Sequence, residues 1–289
     1  MWIKLLLGAF FLLSLLGAFV IEPAREHDFK RGRDADGRGG DGKRLRLLSW
    51  NIGNGDLESE TRAHAEDLHA VAKVILDNDA DAVALQELTG EDQLRLLLAH
   101  LKNRYRGYVN SRGSSDRVEA VLVKNRSEHP VRGEDSLTFN DVPAGDRFAA
   151  AATFRLQKDS PEVVLVSAHA DAFSASRRRT FAADVVDWAR SHTKSELAFI
   201  AGDFNLEVST RNKNDLYTDD AKHDSESYAY LLKYFRDLGL DAGKTSINDR
   251  RIDYVFGPAE TVSLRRAEVL RAAAVGRMDH WPLLIEVGF

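Results

Sequence analysis

The sequence predicts an α+β domain in which two β-sheets pack together with helices outside them. Three observations lead to this class. Short apolar runs of strand length recur from Lys43 onward, interleaved with segments whose apolar residues fall at helical spacing. Three strand-like runs, 117–124, 147–156 and 162–169, succeed one another without a helical pattern between them, which breaks strict βαβ alternation. Apolar residues make up 44% of the 289, enough for a sizeable core, and neither an internal repeat nor a second linker interrupts residues 44–289.

Each element follows from its pattern. "LRLLSWNI" (45–52) reads as a strand. "TRAHAEDLHAVAKVILDND" (61–79) reads as a helix, because Leu68, Val71, Ala72 and Ile75 recur on one face. "ADAVALQEL" (80–88) is a buried strand and "DQLRLLLAHLKN" (92–103) a helix. "RVEAVLVK", "RFAAAATFRL" and "EVVLVSAH" are the three successive strands. "RRRTFAADVVDWARSH" (177–192) returns to helical spacing, and "LAFIAGD" (197–203) is the next strand. "SYAYLLKYFRDL" (227–238) reads as a helix with Tyr228, Leu231, Leu232 and Phe235 on one face. "RIDYVFG" (251–257) and "HWPLLIEV" (280–287) are strands. Segments 104–117 and 206–226 read as loops, where substrate specificity is expected.

Ahead of this domain, residues 5–21 ("LLLGAFFLLSLLGAFVI") form an apolar run behind Lys4 with no polar face. A soluble core helix would show one, so the run is expected to be a signal anchor or a signal peptide. The absence of a clean small-x-small cleavage site in the following "VIEPAR" favours the anchor. Residues 22–43 mix glycine with charges of both signs and read as a flexible tether. Arg25, Lys30, Arg31 and Arg33 blur the positive-inside rule. The expected location is a membrane-anchored protein with an extracytoplasmic domain, or a secreted one.

The formal charge is −5. Residues 1–43 carry seven Lys and Arg against six Asp and Glu, leaving 33 against 39 for the rest. That is not the footprint of a tight, non-specific nucleic-acid binder. Carboxylates gathered at a metal site can nonetheless make a total acidic while its rim stays basic. The chain has no cysteine, which excludes disulfides, zinc-thiolate sites, thiol catalysis and a lipoprotein cysteine anchor.

Polar residues recur at strand tips. Asn51 ends the first strand and Glu87 the second, in "LQEL". Glu119 opens a middle strand, and His169 ends another in "SAHAD". Asp203 and Asn205 end the next, in "AGDFN". Asp253 lies in "RIDYVF", and Asp279 and His280 precede the last strand in "GRMDHWPL". Singly, each has a bland reading: Asp and Asn form turns, and a lone histidine is usually a satisfied structural group. Their joint placement at the ends of successive strands points to a site.

The series "SWNIG", "LQE", "SAH", "GDFN", "RIDYVF" and "MDHWPL", in that order over residues 44–289, resembles the endonuclease/exonuclease/phosphatase superfamily. That group includes deoxyribonuclease-like and sphingomyelinase-like enzymes. The resemblance implies a four-layer α/β sandwich of two packed, mainly antiparallel sheets flanked by helices, with the site at one end of the sheets. It also implies magnesium-dependent phosphoryl chemistry. Mg2+ takes hard oxygen ligands and keeps several waters, so one or two carboxylates plus a substrate phosphate suffice; Mn2+ or Ca2+ could serve instead. By similarity, Glu87 is the leading ligand, supported by Asn51 and Asp279. Asp203 and Asn205 would face the other side of the phosphate and hold the attacking water or a second ion. His280, oriented by Asp253, would act on the water or the phosphate. His169, oriented by Glu119, would protonate the leaving oxygen. Arg147 resembles a phosphate-contacting arginine of the deoxyribonuclease type. Many members carry a tyrosine just before the strand at 119–123; here Asp116, Arg117 and Val118 stand there, so Arg117 is the candidate replacement. The run Arg177–Arg179 opposes the helix dipole and could grip phosphates or an anionic lipid surface, or could simply be a solvated helix start.

The resulting expectation is a Mg2+-dependent phosphodiester hydrolase, a nuclease first, acting by in-line attack of water. Nucleic acid is the preferred partner over phospholipid, the membrane is engaged through residues 5–21, and no oligomer is implied. A phospholipid or sphingomyelin phosphodiesterase and a phosphoinositide phosphatase use the same chemistry. A non-catalytic membrane-tethered binding protein on this fold would be marked by loss of Glu87, Asp203 or His280, and all three are present.

Overall fold

The alternating apolar runs become the strands of two sheets, and the runs of helical spacing become the helices that cover them. A computed structural model describes residues 44–53, 63–110, 117–125, 137–157, 159–194, 196–208, 221–247, 249–273 and 275–289, with backbone only at 63–66 and 221–222. The expected anchor (5–21) and tether (22–43) lie outside the described residues. Among the described residues, no helix is long and apolar enough to cross a membrane.

In chain order the elements are β1 (Arg44–Asn51), α1 (Ala63–Asp77), β2 (Ala82–Leu88), α2 (Glu91–His100), β3 (Tyr105–Val109), β4 (Val118–Lys124), β5 (Thr138–Ala144), β6 (Arg147–Arg155), β7 (Glu162–His169), α3 (Ala175–His192), β8 (Ala198–Asp203), α4 (Ala221–Leu231), β9 (Arg236–Asp237), β10 (Asp253–Gly257), β11 (Ser263–Val269) and β12 (Leu283–Gly288). One sheet has the order β11-β12-β1-β2-β4-β3 and the other β5-β6-β7-β8-β10-β9. Each contains one parallel pair, β1–β2 and β7–β8, among antiparallel neighbours. A parallel pair needs a crossover, and α1 and α3 lie in those two connections.

Three apolar layers make this a four-layer sandwich. Leu45, Leu47, Ala82, Ala84, Leu165, Phe199 and Val255 fill the space between the sheets. Leu48, Trp50, Val83 and Leu85 pack outward against Leu68, Val71, Ala72 and Ile75 of α1 and Leu94 and Leu97 of α2. Val164, Val166, Ile200 and Phe256 pack outward against Phe181 and Val185 of α3 and Leu231 of α4. Each such large side chain contributes about 1.5–3 kcal/mol on full burial, so packing rather than helix propensity holds the outer layers.

The structure departs from the sequence expectation in several places. Segment 104–117, read as a loop, contains the edge strand β3, paired with β4 from Tyr105↔Lys124 to Val109↔Ala120; residues 111–116 of that segment lie outside the described residues. β5 and β11 also escaped pattern reading. β11 is an edge strand with mostly exposed or half-exposed residues, so its apolar signal is weak. The helix expected over 227–238 ends at Leu231. A tightened turn follows, with Lys233 N donating to Tyr230 O and Tyr234 N to Leu231 O, and the chain then pairs Asp237 with Phe256 of β10. Leu232 is therefore exposed rather than part of an apolar helix face. Asp237 fixes this change of direction by accepting from Tyr228 Oη at 2.7 Å and from Gly239 N at 3.0 Å. In 206–226, residues 209–220 lie outside the described residues and α4 begins at Ala221.

Candidate active site

The topology gathers the polar strand tips. The two strands of a parallel pair run the same way, so their C-terminal tips lie at one end, and ligand sites of mixed sheets favour that end. Asn51 and Glu87 come from β1 and β2, and His169 and Asp203 from β7 and β8, where they pair with each other in register. The antiparallel neighbours begin at the same end. Glu119 comes from the start of β4 and Asp253 from the start of β10, where it pairs with Asp203.

Strand alternation then decides which side chains enter the space between the sheets. Leu45 and Leu47 face that core, so Asn51 does as well. The same period carries Val163 and Leu165 to His169, Phe199 and Ala201 to Asp203, Val255 to Asp253, and Val123 and Val121 to Glu119. Each inward series is mainly apolar, with Ser49 and Ser167 as small polar interruptions, and ends in a chemistry-bearing polar side chain.

Glu87 breaks the period, because Ala82, Ala84 and Gln86 hold the inward positions of β2. Gln86 Nε2 donates to Ser167 Oγ across the sheets at 2.9 Å. A register shift between Leu85 and Leu88 and a backbone φ of 62° re-aim Glu87 into the site. Gly53 makes room for it: a Cβ there would lie 2.1 Å from Glu87 Oε2. Gly202, the glycine of "GDFN", is required for a similar reason. Its φ is 149°, and a Cβ would lie 1.9 Å from the Ala168 carbonyl oxygen of the neighbouring strand.

One amide ties the two sheets together. Asn51 Nδ2 donates to Glu87 Oε1 at 3.0 Å and to Asp203 Oδ2 at 3.1 Å, while Asn51 Oδ1 accepts from Gly53 N at 3.0 Å. Asp203 Oδ2 sits between two imidazoles, 3.8 Å from His169 Nε2 and 3.7 Å from His280 Nε2. Each ring has a second carboxylate at its other nitrogen. His169 Nδ1 lies 3.6 Å from Glu119 Oε1, and His280 Nδ1 lies 2.8 Å from Asp253 Oδ2. Asp203 Oδ1 accepts from Asn205 N at 2.8 Å, closing a tight turn in which Asn205 takes a φ of 51°. Asn205 Nδ2 donates to Ala170 O at 3.2 Å, linking the ends of β7 and β8. "DFN" is therefore both a turn and a rigid mount for a carboxylate.

Burial shapes the charges. It pushes the Asp203 carboxyl up, with Asp253 adding to the effect and the two histidines opposing it. Burial alone would lower the His280 imidazole, but the charge and hydrogen bond of Asp253, with the charges of Asp203 and Asp279, raise it to about 10. His280 thus carries its proton at neutral pH in the metal-free protein.

The remaining expected residues stand at the edge. Asp279 is half-buried beside His280 and acts on it through charge. Arg147 has the opposite alternation to Phe148 and turns toward α3, with Nη2 3.5 Å from Asp171 Oδ2. Arg177 Nη1 reaches the same oxygen at 3.5 Å. Arg178, by contrast, is fully buried against Asp224 at 2.8 and 3.0 Å and is structural. Sequence reading missed Asp171, although it lies in "SAHAD", and missed Asn110. Asn110 Nδ2 donates to Glu119 Oε2 at 2.7 Å and to Phe148 O at 2.8 Å, and Asn110 Oδ1 accepts from Glu119 N at 3.1 Å. The alternation in "YRGYVN" was the available signal.

A family model described as the endonuclease/exonuclease/phosphatase family matches residues 48–278. The chain belongs to this family. Solved structures agree on the fold. An endonuclease/exonuclease/phosphatase protein from Bacteroides vulgatus superposes with a TM-score of 0.65 at 17% identity, covering 86% of this chain and 99% of the other. The human Nocturnin catalytic domain with bound sulfate gives 0.62 at 16% identity, over 85% and 94%. A Bacteroides thetaiotaomicron mannosyl-6-phosphatase gives 0.62 at 18% identity, over 85% and 100%. No curated protein matches the chain significantly.

As a member of the endonuclease/exonuclease/phosphatase family the chain is a metal-dependent phosphoric ester hydrolase. The donor set fits a divalent ion. Glu87, His169 and Asp203 bring ligand atoms within 4.8 Å of one another, and Asp203, Asp253 and His280 do the same. Two carboxylates sharing one amide donor in a largely buried space call for a cation, and oxygen donors suit a hard one. Gly53 lets the Glu87 carboxylate take this position, because a Cβ there would clash with it.

Proposed function

We propose that this chain hydrolyses phosphodiesters with Mg2+ as its ion and nucleic acid as its preferred substrate class. The observation that carries the reading is Asp203 between His169 and His280, with each imidazole backed by its own carboxylate. Proton-handling groups on two sides of one carboxylate suit a reaction in which water enters on one side and a poor leaving group departs on the other. Asp203, pushed up by burial, is the better placed base for water, and Asn205 holds it in position. His280, protonated at neutral pH, stabilises negative charge on the phosphoryl oxygens. His169, oriented by Glu119, delivers the proton to the leaving oxygen. Glu87, with Asn51 and Asp279 in support, would hold the ion, which when bound supplies Lewis-acid stabilisation of phosphoryl charge. Arg147 lies at the rim on the His169 side, where a neighbouring phosphate of a polymer would pass.

A second reading, phosphomonoester hydrolysis, is favoured by the likeness to the mannosyl-6-phosphatase. Full-length protein assayed on plasmid DNA, RNA, sphingomyelin, a phosphoinositide and mannose 6-phosphate, with and without Mg2+, separates the two. Mg2+-dependent cleavage of DNA or RNA is the expected result, and turnover confined to the sugar phosphate contradicts it. We also propose, from the apolar run at 5–21, that the domain is held at a membrane outside the cytoplasm. Recovery of the full-length chain wholly in the cytosolic fraction contradicts that location.

A further inference from the structure

Arg117 stands where the family resemblance leads one to expect a tyrosine, and the structure gives it a definite partner. It lies two residues before Glu119, just ahead of β4, so strand alternation turns both side chains to the same face. Glu119 meets His169, and Arg117 is ion-paired through Nη1 with Glu87 Oε2. β2 and β4 run antiparallel and Leu88 pairs with Val118; that register sets Glu87 opposite Glu119 and leaves Arg117 diagonal to Glu87, within reach of a long side chain.

The two oxygens of Glu87 are thereby divided. Oε1 accepts from Asn51 Nδ2 at 3.0 Å and faces His169 at 3.7 Å. Oε2 takes the guanidinium, and it is this oxygen for which Gly53 leaves room. A carboxylate this enclosed, near the carboxylate of Asp203, needs a positive neighbour. A divalent ion on Glu87 would supply that charge and compete with Arg117 for the same oxygen. The Arg117 side chain is 27% exposed, so a way out is open to it.

Resting on the reading of Glu87 as metal ligand, we infer that Arg117 is a displaceable counter-cation. It neutralises Glu87 in the metal-free protein. Once displaced by a divalent ion, it engages the phosphoryl group of the substrate at the same mouth. A planar guanidinium forks onto phosphate oxygens as readily as onto a carboxylate, which is why this residue type can serve both states.

The test uses the full-length chain. Mg2+ and Mn2+ affinities are measured by calorimetry for the wild type, Arg117→Gln, Arg117→Lys and Glu87→Gln, together with kcat and KM on bis(4-nitrophenyl) phosphate. Arg117→Gln should bind metal about tenfold more tightly, because a charge-assisted competitor has been removed. Its KM should rise by about tenfold with a smaller change in kcat, and Arg117→Lys should fall between. Damage to the fold does not produce tighter binding, so the sign of the first effect is diagnostic. If Glu87→Gln weakens metal binding but Arg117→Gln leaves it unchanged, the counter-cation role is overturned while Glu87 remains a ligand. If Arg117→Gln tightens metal binding but leaves KM unchanged, the substrate contact is overturned. If Glu87→Gln binds as the wild type does, the ligand reading fails and the inference falls with it.

Discussion

His280 Nδ1 lies 2.8 Å from Asp253 Oδ2 at the start of β10, and this contact couples the stability of the metal-free protein to pH. The imidazole is raised to about 10 in the folded chain, against about 6.5 when unfolded. A group whose folded value is raised contributes stability that is fully present below the unfolded value and lost as pH rises through the folded one. The stability advantage of the wild type over Asp253→Asn, measured by urea unfolding in EDTA, should therefore be largest near pH 6. It should shrink across pH 6.5 to 10. Its size should be on the order of a few kcal/mol, since each pKa unit corresponds to about 1.4 kcal/mol. An advantage that stays flat across that window would show that Asp253 does not hold a proton on His280.

Gly202→Ala should destabilise the domain severely. The new Cβ would meet the Ala168 backbone carbonyl at 1.9 Å, and neither strand can yield without losing the β7–β8 register that aligns His169 with Asp203. A loss of about 3 kcal/mol or more is expected, from steric strain together with an unfavourable backbone conformation. A thermal or urea midpoint close to that of the wild type would mean that the strands are spaced more loosely than described.

The two histidines should separate by leaving group. A general acid contributes about a hundred- to ten-thousandfold when the leaving group needs a proton. His169→Ala should lose much of its activity on a natural phosphodiester and little on a nitrophenyl ester, which departs as an anion. His280→Ala should lose activity on both, because charge on the phosphoryl oxygens develops with either substrate. Asn110→Ala, which removes three hydrogen bonds to Glu119 and Phe148, should follow His169→Ala in direction with a smaller loss. Equal losses for His169→Ala on both esters would reassign His169 to phosphate binding or structure.

Much of this site was legible in the sequence because acids, amides and histidines stand at the tips of strands whose inward faces are otherwise mainly apolar. Val163 and Leu165 lead to His169, and Phe199 and Ala201 to Asp203, so a polar tip after an apolar alternation stood out. Glu87 was found through its motif, not its period: a bulge and a positive φ place it in the site, and neither is visible in alternation. Asn110 escaped because β3 is a short edge strand whose half-exposed residues give little hydrophobic signal. The end of α4 was misjudged because Leu232 keeps the helical spacing, whereas the turn is decided by distant partners of Asp237, among them Tyr228 and Arg251. The link between Arg147 and Arg177 through Asp171 depends on three separate elements meeting, which spacing along the chain does not reveal.

The most direct measurement is the Mg2+ dependence of turnover by Glu87→Gln beside the wild type, with circular dichroism confirming the fold. Glu87 is the carboxylate that β2 re-aims into the site, and Gly53 leaves room for its side chain. Loss of several kcal/mol of transition-state charge stabilisation corresponds to a rate drop of about a hundredfold or more. Glu87→Gln should therefore fold normally, turn over at about one hundredth of the wild-type rate or less, and gain nothing from added Mg2+. Wild-type turnover by Glu87→Gln in excess EDTA would contradict metal-assisted hydrolysis at this site.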